Sequence, residues 1–354
     1  MKKFITLIAL SFLLLVGCAG SRHFNIKDVE SGFVNTTKED IKYYDLKEKK
    51  DTTTFIVLSD DYDKKKPVLI FLQGSLPVPL LLKAYDENHQ MVFSFLEKET
   101  VDTLKKEYHL VAISMPTVPL IVNMENVDDR IAYVKEKEPE SVFDPAYHEA
   151  NVLANYVRRT KGVIDFLSKQ QWVDKSHISL FGHSQGAKVA IVTAVDNKKV
   201  RKVGFSGGNP FGRTDHTIRE YRYDAIQGRA THEQVQHAVD YFYKAWEDMT
   251  ANPNAKETKY ADANRTWLSF DEPLIPYFLK VKQPIYVCYG TMDPKSVMSD
   301  VLPFYFTTAK KKNLTMRPYP GLEHNYYKLD ENFKSTDETL WNEVIMEFMR
   351  WDFE

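Results

Sequence analysis

Apolar residues in this chain follow two rhythms. The first is a short unbroken run of strand length. Residues 67–72, 110–113, 178–181, 203–205 and 285–289 are of this kind. An unbroken run suits a strand buried on both faces, as in a parallel sheet. Residues 41–44 and 52–58 are β-like as well, and the charged stretch 47–51 between them predicts a hairpin turn. Residues 314–317 predict a last short strand. The second rhythm is helical. It predicts helices over 90–107, over 147–170 (with Leu153, Tyr156, Val157, Ile164 and Leu167 near one face), over 187–195 and over 338–351. Strands that alternate with helices predict an α/β fold, a mostly parallel central sheet flanked by helices.

Two segments break the alternation. Residues 114–146 carry Pro116, Pro119, Pro139 and Pro145 and predict a long loop. Residues 207–272 carry no strand pattern, but Val235, Ala238, Val239, Phe242, Ala245, Trp246 and Met249 recur at helical spacing. That segment predicts a helical cap inserted between the two parts of the core, 39–206 and 273–354.

Composition narrows the class. Hydrophobic residues at 43% and charged residues at 27% describe a globular chain and exclude a disordered one. Lys plus Arg is 47 against 49 for Asp plus Glu, a net charge of −2, so there is no basic excess to bind nucleic acid. Two cysteines exclude a disulfide scaffold and a Cys-rich zinc site.

Cys18 has a reading of its own. Lys2 and Lys3 precede an apolar run over 4–16, which is too short for a bilayer span of about 20 residues but suits a signal peptide. The run ends in Leu15-Val16-Gly17-Cys18, which resembles the lipobox of bacterial lipoproteins. The resemblance implies a signal peptide over 1–17, lipidation of Cys18 and a polar tether over 18–38. Ala19 stands where an inner-membrane retention Asp would be, so the resemblance implies a cell-envelope protein anchored in the outer membrane. Cys288 would then be the sole thiol.

The chemistry gathers at Gly182-His183-Ser184-Gln185-Gly186, which directly follows the run 178–181 and precedes a helical stretch. This strand–turn–helix context turns a G-x-S-x-G match into evidence for a nucleophile elbow. A tight turn lifts the serine oxygen above the sheet. The flanking glycines let strand and helix backbones approach, and the helix N-terminus offers N–H groups to a developing oxyanion.

On these residues the chain resembles the α/β-hydrolase superfamily. Val173-Asp174-Lys175-Ser176-His177-Ile178 leading into the elbow is similar to the dienelactone hydrolase and prolyl oligopeptidase-like branches. The resemblance runs from about residue 40 to the C-terminus, apart from the cap. It implies an α/β-hydrolase fold and a triad in the order Ser, acid, His. Asp293 matches the acid position, in Gly290-Thr291-Met292-Asp293 after the run 285–289. His324 matches the base, in Pro320-Gly321-Leu322-Glu323-His324. Ser184 would attack, His324 would carry its proton, and Asp293 would orient the imidazole. The backbone N–H of Gln185 is the first implied oxyanion donor. The second is Gly74 or Ser75, in Gln73-Gly74-Ser75, where the family often has His-Gly.

Other features are secondary. Glu323 reads as solvated, and His183 as packed sideways in the elbow. His216, His232 and His237 make no metal-ligand spacing, so neither metal nor cofactor is expected. The apolar stretch Leu76–Leu82 either lines an acyl pocket or packs under the cap. Arg213, Arg219, Arg222 and Arg229 in the cap either pair with an acidic substrate group or form a solvated face. The function read from these residues is a cell-envelope serine hydrolase cleaving small or moderate-sized carboxylic esters. A peptidase or amidase of the same fold is the enzymatic alternative, and a non-catalytic, lipid-anchored binding protein is the alternative of another class.

Overall fold

The computed structural model describes residues 29–35, 40–48, 51–83, 89–136, 142–255 and 262–352. The expected signal peptide and Cys18 lie outside them. The strands in chain order are β1 (Val29–Asn35), β2 (Asp40–Glu48), β3 (Asp51–Leu58), β4 (Lys66–Leu72), β5 (Leu81–Lys83), β6 (His89–Met91), β7 (His109–Ile113), β8 (Ile121–Asn123), β9 (Val173–His183), β10 (Val200–Ser206), β11 (Ile285–Gly290), β12 (Leu314–Tyr319), β13 (Tyr327–Leu329) and β14 (Ser335–Thr339). The helices are α1 (Lys98–Glu107), α2 (Pro145–Ala150), α3 (Leu153–Leu167), α4 (Gln185–Ala194), α5 (Arg213–Ile226), α6 (His232–Ala251), α7 (Asn264–Asp271), α8 (Ile275–Lys280), α9 (Leu302–Thr308) and α10 (Trp341–Arg350).

Nine strands form one sheet in the order β1-β2-β3-β7-β4-β9-β10-β11-β12. The pairs from β1 to β7 are antiparallel. Those from β7 to β12 are parallel. This strand order, with helices on both faces, is the α/β-hydrolase fold.

Period-two alternation sorts the inner strands onto two cores. Val68, Ile70 and Leu72 of β4 join Val157, Ile164 and Ile191 of α3 and α4 on one face. Leu69 and Phe71 join Leu104 of α1 and Phe348 of α10 on the other. Both faces are covered, which is why these strands read as unbroken apolar runs.

The order also locates a crevice. From β4 the chain crosses to β7 on one side, whereas from β9 it goes on to β10 on the other. The loops leaving β4 and β9 therefore diverge, and such a switch point opens a ligand crevice at the carboxyl ends of the strands. Gln73–Ser75 and Ser184 stand at those two ends.

Several boundaries differ from expectation. Residues 29–35 are not tether but the edge strand β1, paired with β2 from Val29↔Leu46 to Asn35↔Asp40. The helix expected from residue 90 starts at Lys98, because residues 89–91 pair with β5 instead. The helix expected over 147–170 is two helices. Asn151 leaves helical geometry at φ −77° and ψ 66°, and its side chain accepts a hydrogen bond from Tyr156 Oη at 3.0 Å. The long loop over 114–146 contains β8, which joins β5 and β6 in a small three-stranded sheet. Leu76–Leu82 takes neither expected role. Leu80 and Leu81 pack with Phe93 and Leu96, and Leu82 packs with Met115 and Val122. β12 is not the last strand, since β13 and β14 follow as an antiparallel pair. Between Gly207 and Glu272 the described residues form α5, α6 and α7 and no strand.

Candidate active site

Ser184 sits between β9 and α4 at φ 57° and ψ −118°, a conformation that costs an L-residue about 1–3 kcal/mol. Its surroundings hold it there. Its N–H donates to Ser206 O at 2.8 Å, and its carbonyl accepts from Ala187 N–H at 3.1 Å. The glycines are required by contact. A Cβ on Gly182 would lie 2.1 Å from Gly186 O, and one on Gly186 would lie 2.0 Å from Leu72 O. No side chain fits at either position without parting helix from sheet.

Asp293 follows β11 in a turn closed by its N–H to Gly290 O at 3.1 Å. It is 1% exposed. Its Oδ2 is 2.7 Å from His324 Nδ1, its Oδ1 accepts from Lys295 N–H at 2.9 Å, and Ser296 Oγ donates to Oδ2. Burial pushes the carboxyl pKa up, but His324 and these donors outweigh it and hold it below the ordinary value. An ionised carboxylate at Nδ1 places the ring proton there and leaves Nε2 as the acceptor.

His324 follows β12 in a turn that contains Gly321 at φ 76°. Gly207, at φ 57°, leaves it room: a Cβ there would lie 2.8 Å from His183 Cε1 and 3.3 Å from His324 Cε1. Glu323 is not simply solvated. Its carboxylate accepts from Asn325 N–H at 2.7 Å and Tyr327 N–H at 3.1 Å, so it ties its own turn and does not orient the imidazole. His183 lies beside His324 at 4.9 Å between ring centroids and shares hydrogen bonds with Ser206 Oγ at 3.0 Å and Asn325 Oδ1 at 3.2 Å.

Ser184 and His324 line one chamber of about 240 Å³, together with Ser75 and Gln185. Among the described residues Ser184 Oγ makes no hydrogen bond, so the Ser–His contact is open here. Such contacts often close only around substrate. Gly74 flanks Ser184: its Cβ position is 4.0 Å from Ser184 Oγ. Tyr147 Oη donates to Ser75 O at 2.8 Å and steadies this loop. No acceptor takes the N–H of Gly74, Ser75 or Gln185 among the described residues.

Among the rest of the lining, Arg213 is the residue the sequence offers for substrate, as a partner for an acidic group, while Lys188, His216 and Lys295 carry no such signal. Lys188, Arg213, His216 and Lys295 all reach the chamber. Arg213 and His216 bring α5 to the elbow, and Phe270 brings α7, so the inserted segment borders the site. Arg219, Arg222 and Arg229 are instead engaged with Asp215, Gln236 and Asp224. An open groove of about 450 Å³ lies beyond His324, between α5 and the β13–β14 pair, and shares His324 and Lys295 with the chamber. Among the described residues no group of His, Cys, Asp and Glu side chains is placed to hold a metal ion.

No protein-family model and no curated protein matches the chain. Solved structures do. Acetyl xylan esterase 1 from Thermoanaerobacterium sp. JW/SL YS485 is 13% identical over 91% of this chain and 86% of that one, with a TM-score of 0.49. Acetyl xylan esterase from Paenibacillus sp. R4 is 13% identical over 91% and 87%, with a TM-score of 0.47. Est1E from Butyrivibrio proteoclasticus, bound to ferulic acid, is 12% identical over 86% and 97%, with a TM-score of 0.48. The fold assignment rests on the chain's own strand order.

Proposed function

We propose that the protein is a serine hydrolase that cleaves carboxylic esters through an acyl-enzyme on Ser184. The observation that carries this is the convergence on one chamber of a serine held at φ 57° and a histidine whose Nδ1 is 2.7 Å from a buried carboxylate. Strain of this kind persists only where the surroundings impose it. A buried ionised Asp bound to a histidine ring is costly unless the pair is held together.

The residues divide the work as follows. Ser184 Oγ attacks the ester carbonyl carbon and passes its proton to His324 Nε2. Asp293 stabilises the imidazolium. The N–H of Gln185, with that of Gly74 or Ser75, receives the oxyanion, helped by the positive end of α4. The C–O bond breaks, and His324 gives the proton to the departing alcohol. Water then repeats the sequence on the acyl-enzyme and releases the acid.

Fluorophosphonate labelling tests this reading. The wild-type protein is expected to label at Ser184, and Ser184→Ala is expected to lose labelling and about 10⁴-fold or more in ester turnover while keeping its fold. Retained turnover in Ser184→Ala defeats the assignment.

The envelope location is part of the same proposal and is supported by the lipobox-like Leu15-Val16-Gly17-Cys18. Cys18→Ser is expected to move the protein from the membrane fraction to the soluble fraction. Continued membrane retention counts against lipidation.

A further inference from the structure

The chamber beside Ser184 has a charge that the ester chemistry does not require. Lys188, Arg213 and Lys295 line it, and no Asp or Glu does among its described lining residues. Their partners are elsewhere or are neutral. Lys295 meets Glu220 at 2.9 Å, on the side of the open groove. Arg213 Nη2 bonds Asp262. Lys188 Nζ donates to the carbonyl of Phe270.

Lys188 stands short of neutralisation, and Arg213 is paired through one nitrogen only. Lys188 is 5% exposed, and its ammonium donates to a neutral acceptor, the Phe270 carbonyl. Burial pulls its pKa down to about 8, with Asp271 and Glu272 acting against that shift. Arg213 Nη1 is buried with no hydrogen-bond partner among the described residues. Trp267 holds the guanidinium in place, its ring centroid 4.3 Å from Cζ. His216 reports the same field: burial first, then Arg213, Lys295 and Lys188, drives its pKa down to about 3, so it stays neutral among the cations.

We infer that this chamber is an anion subsite, centred on Arg213 and Lys188, that takes a carboxylate carried on the acyl part of the ester. The inference rests on the serine-hydrolase reading for its orientation, because Ser184, Gln185 and Ser75 share the chamber. An Arg guanidinium favours a planar carboxylate, and a low-polarity wall strengthens the pairing. A space of about 240 Å³ lies below the usual range for drug-sized ligands, so the acyl part is short. The open groove beyond His324 leaves a larger, less constrained space for the alcohol, on the side where His324 returns its proton.

The test compares mono-4-nitrophenyl succinate with 4-nitrophenyl butyrate. The two share a leaving group and differ at the distal end of the acyl chain. The wild type is expected to favour the succinate by about tenfold or more in kcat/KM, chiefly through KM. Arg213→Gln is expected to bring that ratio toward one, and Lys188→Met to lower it. A wild-type ratio at or below one overturns the subsite, and so does an equal loss on both esters in Arg213→Gln. If Arg213→Gln does not fold, Lys188→Met decides by the same ratio.

A binding measurement separates this inference from the catalytic reading. Calorimetry of succinate on Ser184→Ala is expected to show saturable binding that Arg213→Gln weakens by about tenfold. Turnover of both esters without preference and without succinate binding removes the subsite and leaves the hydrolase. Succinate binding that needs Arg213, with no turnover and no fluorophosphonate labelling of the wild type, keeps the subsite and removes the hydrolase.

Discussion

Ser184 concentrates the conflict between stability and chemistry in a single residue. Its φ of 57° is one that glycine adopts freely and serine does not. Ser184→Gly relieves that strain and loses the hydroxyl. Relief of about 1–3 kcal/mol, less about 1 kcal/mol for the extra freedom of glycine in the unfolded chain, leaves a net gain on the order of 1 kcal/mol. The expected outcome is a higher urea midpoint with no labelling. A midpoint below wild type means that the hydroxyl, not the backbone, sets the local energy. The elbow at Ser184 was legible because it follows a strand directly, where local sequence dictates local structure, whereas Asp293 and His324 were implied only by the family resemblance. The cationic lining was legible only at Arg213, as one of four cap arginines offered to an acidic substrate group. Lys188 lies one turn into α4 and Arg213 at the start of α5, and nothing in either neighbourhood says that both face Ser184.

At the scale of elements, helix α3 is anchored by a buried charge. Arg159 is 1% exposed, and its guanidinium reaches Asp51 of β3 at 3.0 Å, Ser114 O at 3.0 Å and Ser114 Oγ at 2.9 Å. Arg158 meets Asp51 as well. Removing one partner of a buried pair strands the other charge. Asp51→Ala is therefore expected to cost about 3 kcal/mol of unfolding free energy, read from urea melts. A loss within the surface range of about 0.5 kcal/mol refutes the anchoring role. Helix and strand types were legible here from periodicity, but some ends were not. The break at Asn151 depends on a side chain that bonds Tyr156 in the next helix and lies 3.5 Å from Gln185 in the elbow, and no periodicity encodes such a contact. β1, β13 and β14 escaped notice for a related reason. They lie at the edges, are mixed in polarity, and take their register from a partner strand.

At the scale of the whole molecule, the buried His183 and the partly exposed His216 are expected to govern the response to acid. Burial, then the neighbouring His324, drives the His183 pKa from 6.5 to about 3. Burial and the cations of the chamber do the same to His216. The unfolded chain binds these protons below about pH 6.5 and the folded chain does not, so stability rises with pH across this window. It is lost progressively as pH falls from about 6.5 toward 3. Asp293, whose folded pKa lies below the ordinary carboxylate value, adds a loss of the same sign at the acid end. The unfolding free energy from urea melts is expected to be lower at about pH 5 than at pH 7, by on the order of 2 kcal/mol from His183 alone. A flat profile over that range contradicts neutral buried histidines.

The apolar runs and the elbow could be read along the chain, and the order Ser184, Asp293, His324 came from the resemblance that the elbow carries. The runs and the elbow depend on residues within a few positions of one another, where backbone geometry is set by local sterics and by the demand to bury both faces of a strand. The convergence of these residues needed the sheet. β9, β11 and β12 bring residues more than a hundred positions apart to one crevice because strand order, a property of the whole fold, places their carboxyl ends side by side. The charge of the chamber is further still from local sequence. It arises because α4, α5 and the turn after β11 each contribute a cation, while their carboxylate partners Asp262 and Glu220 stay outside its lining. Charge in a pocket is a sum over whatever the fold brings together, and that sum exists only once the chain is packed.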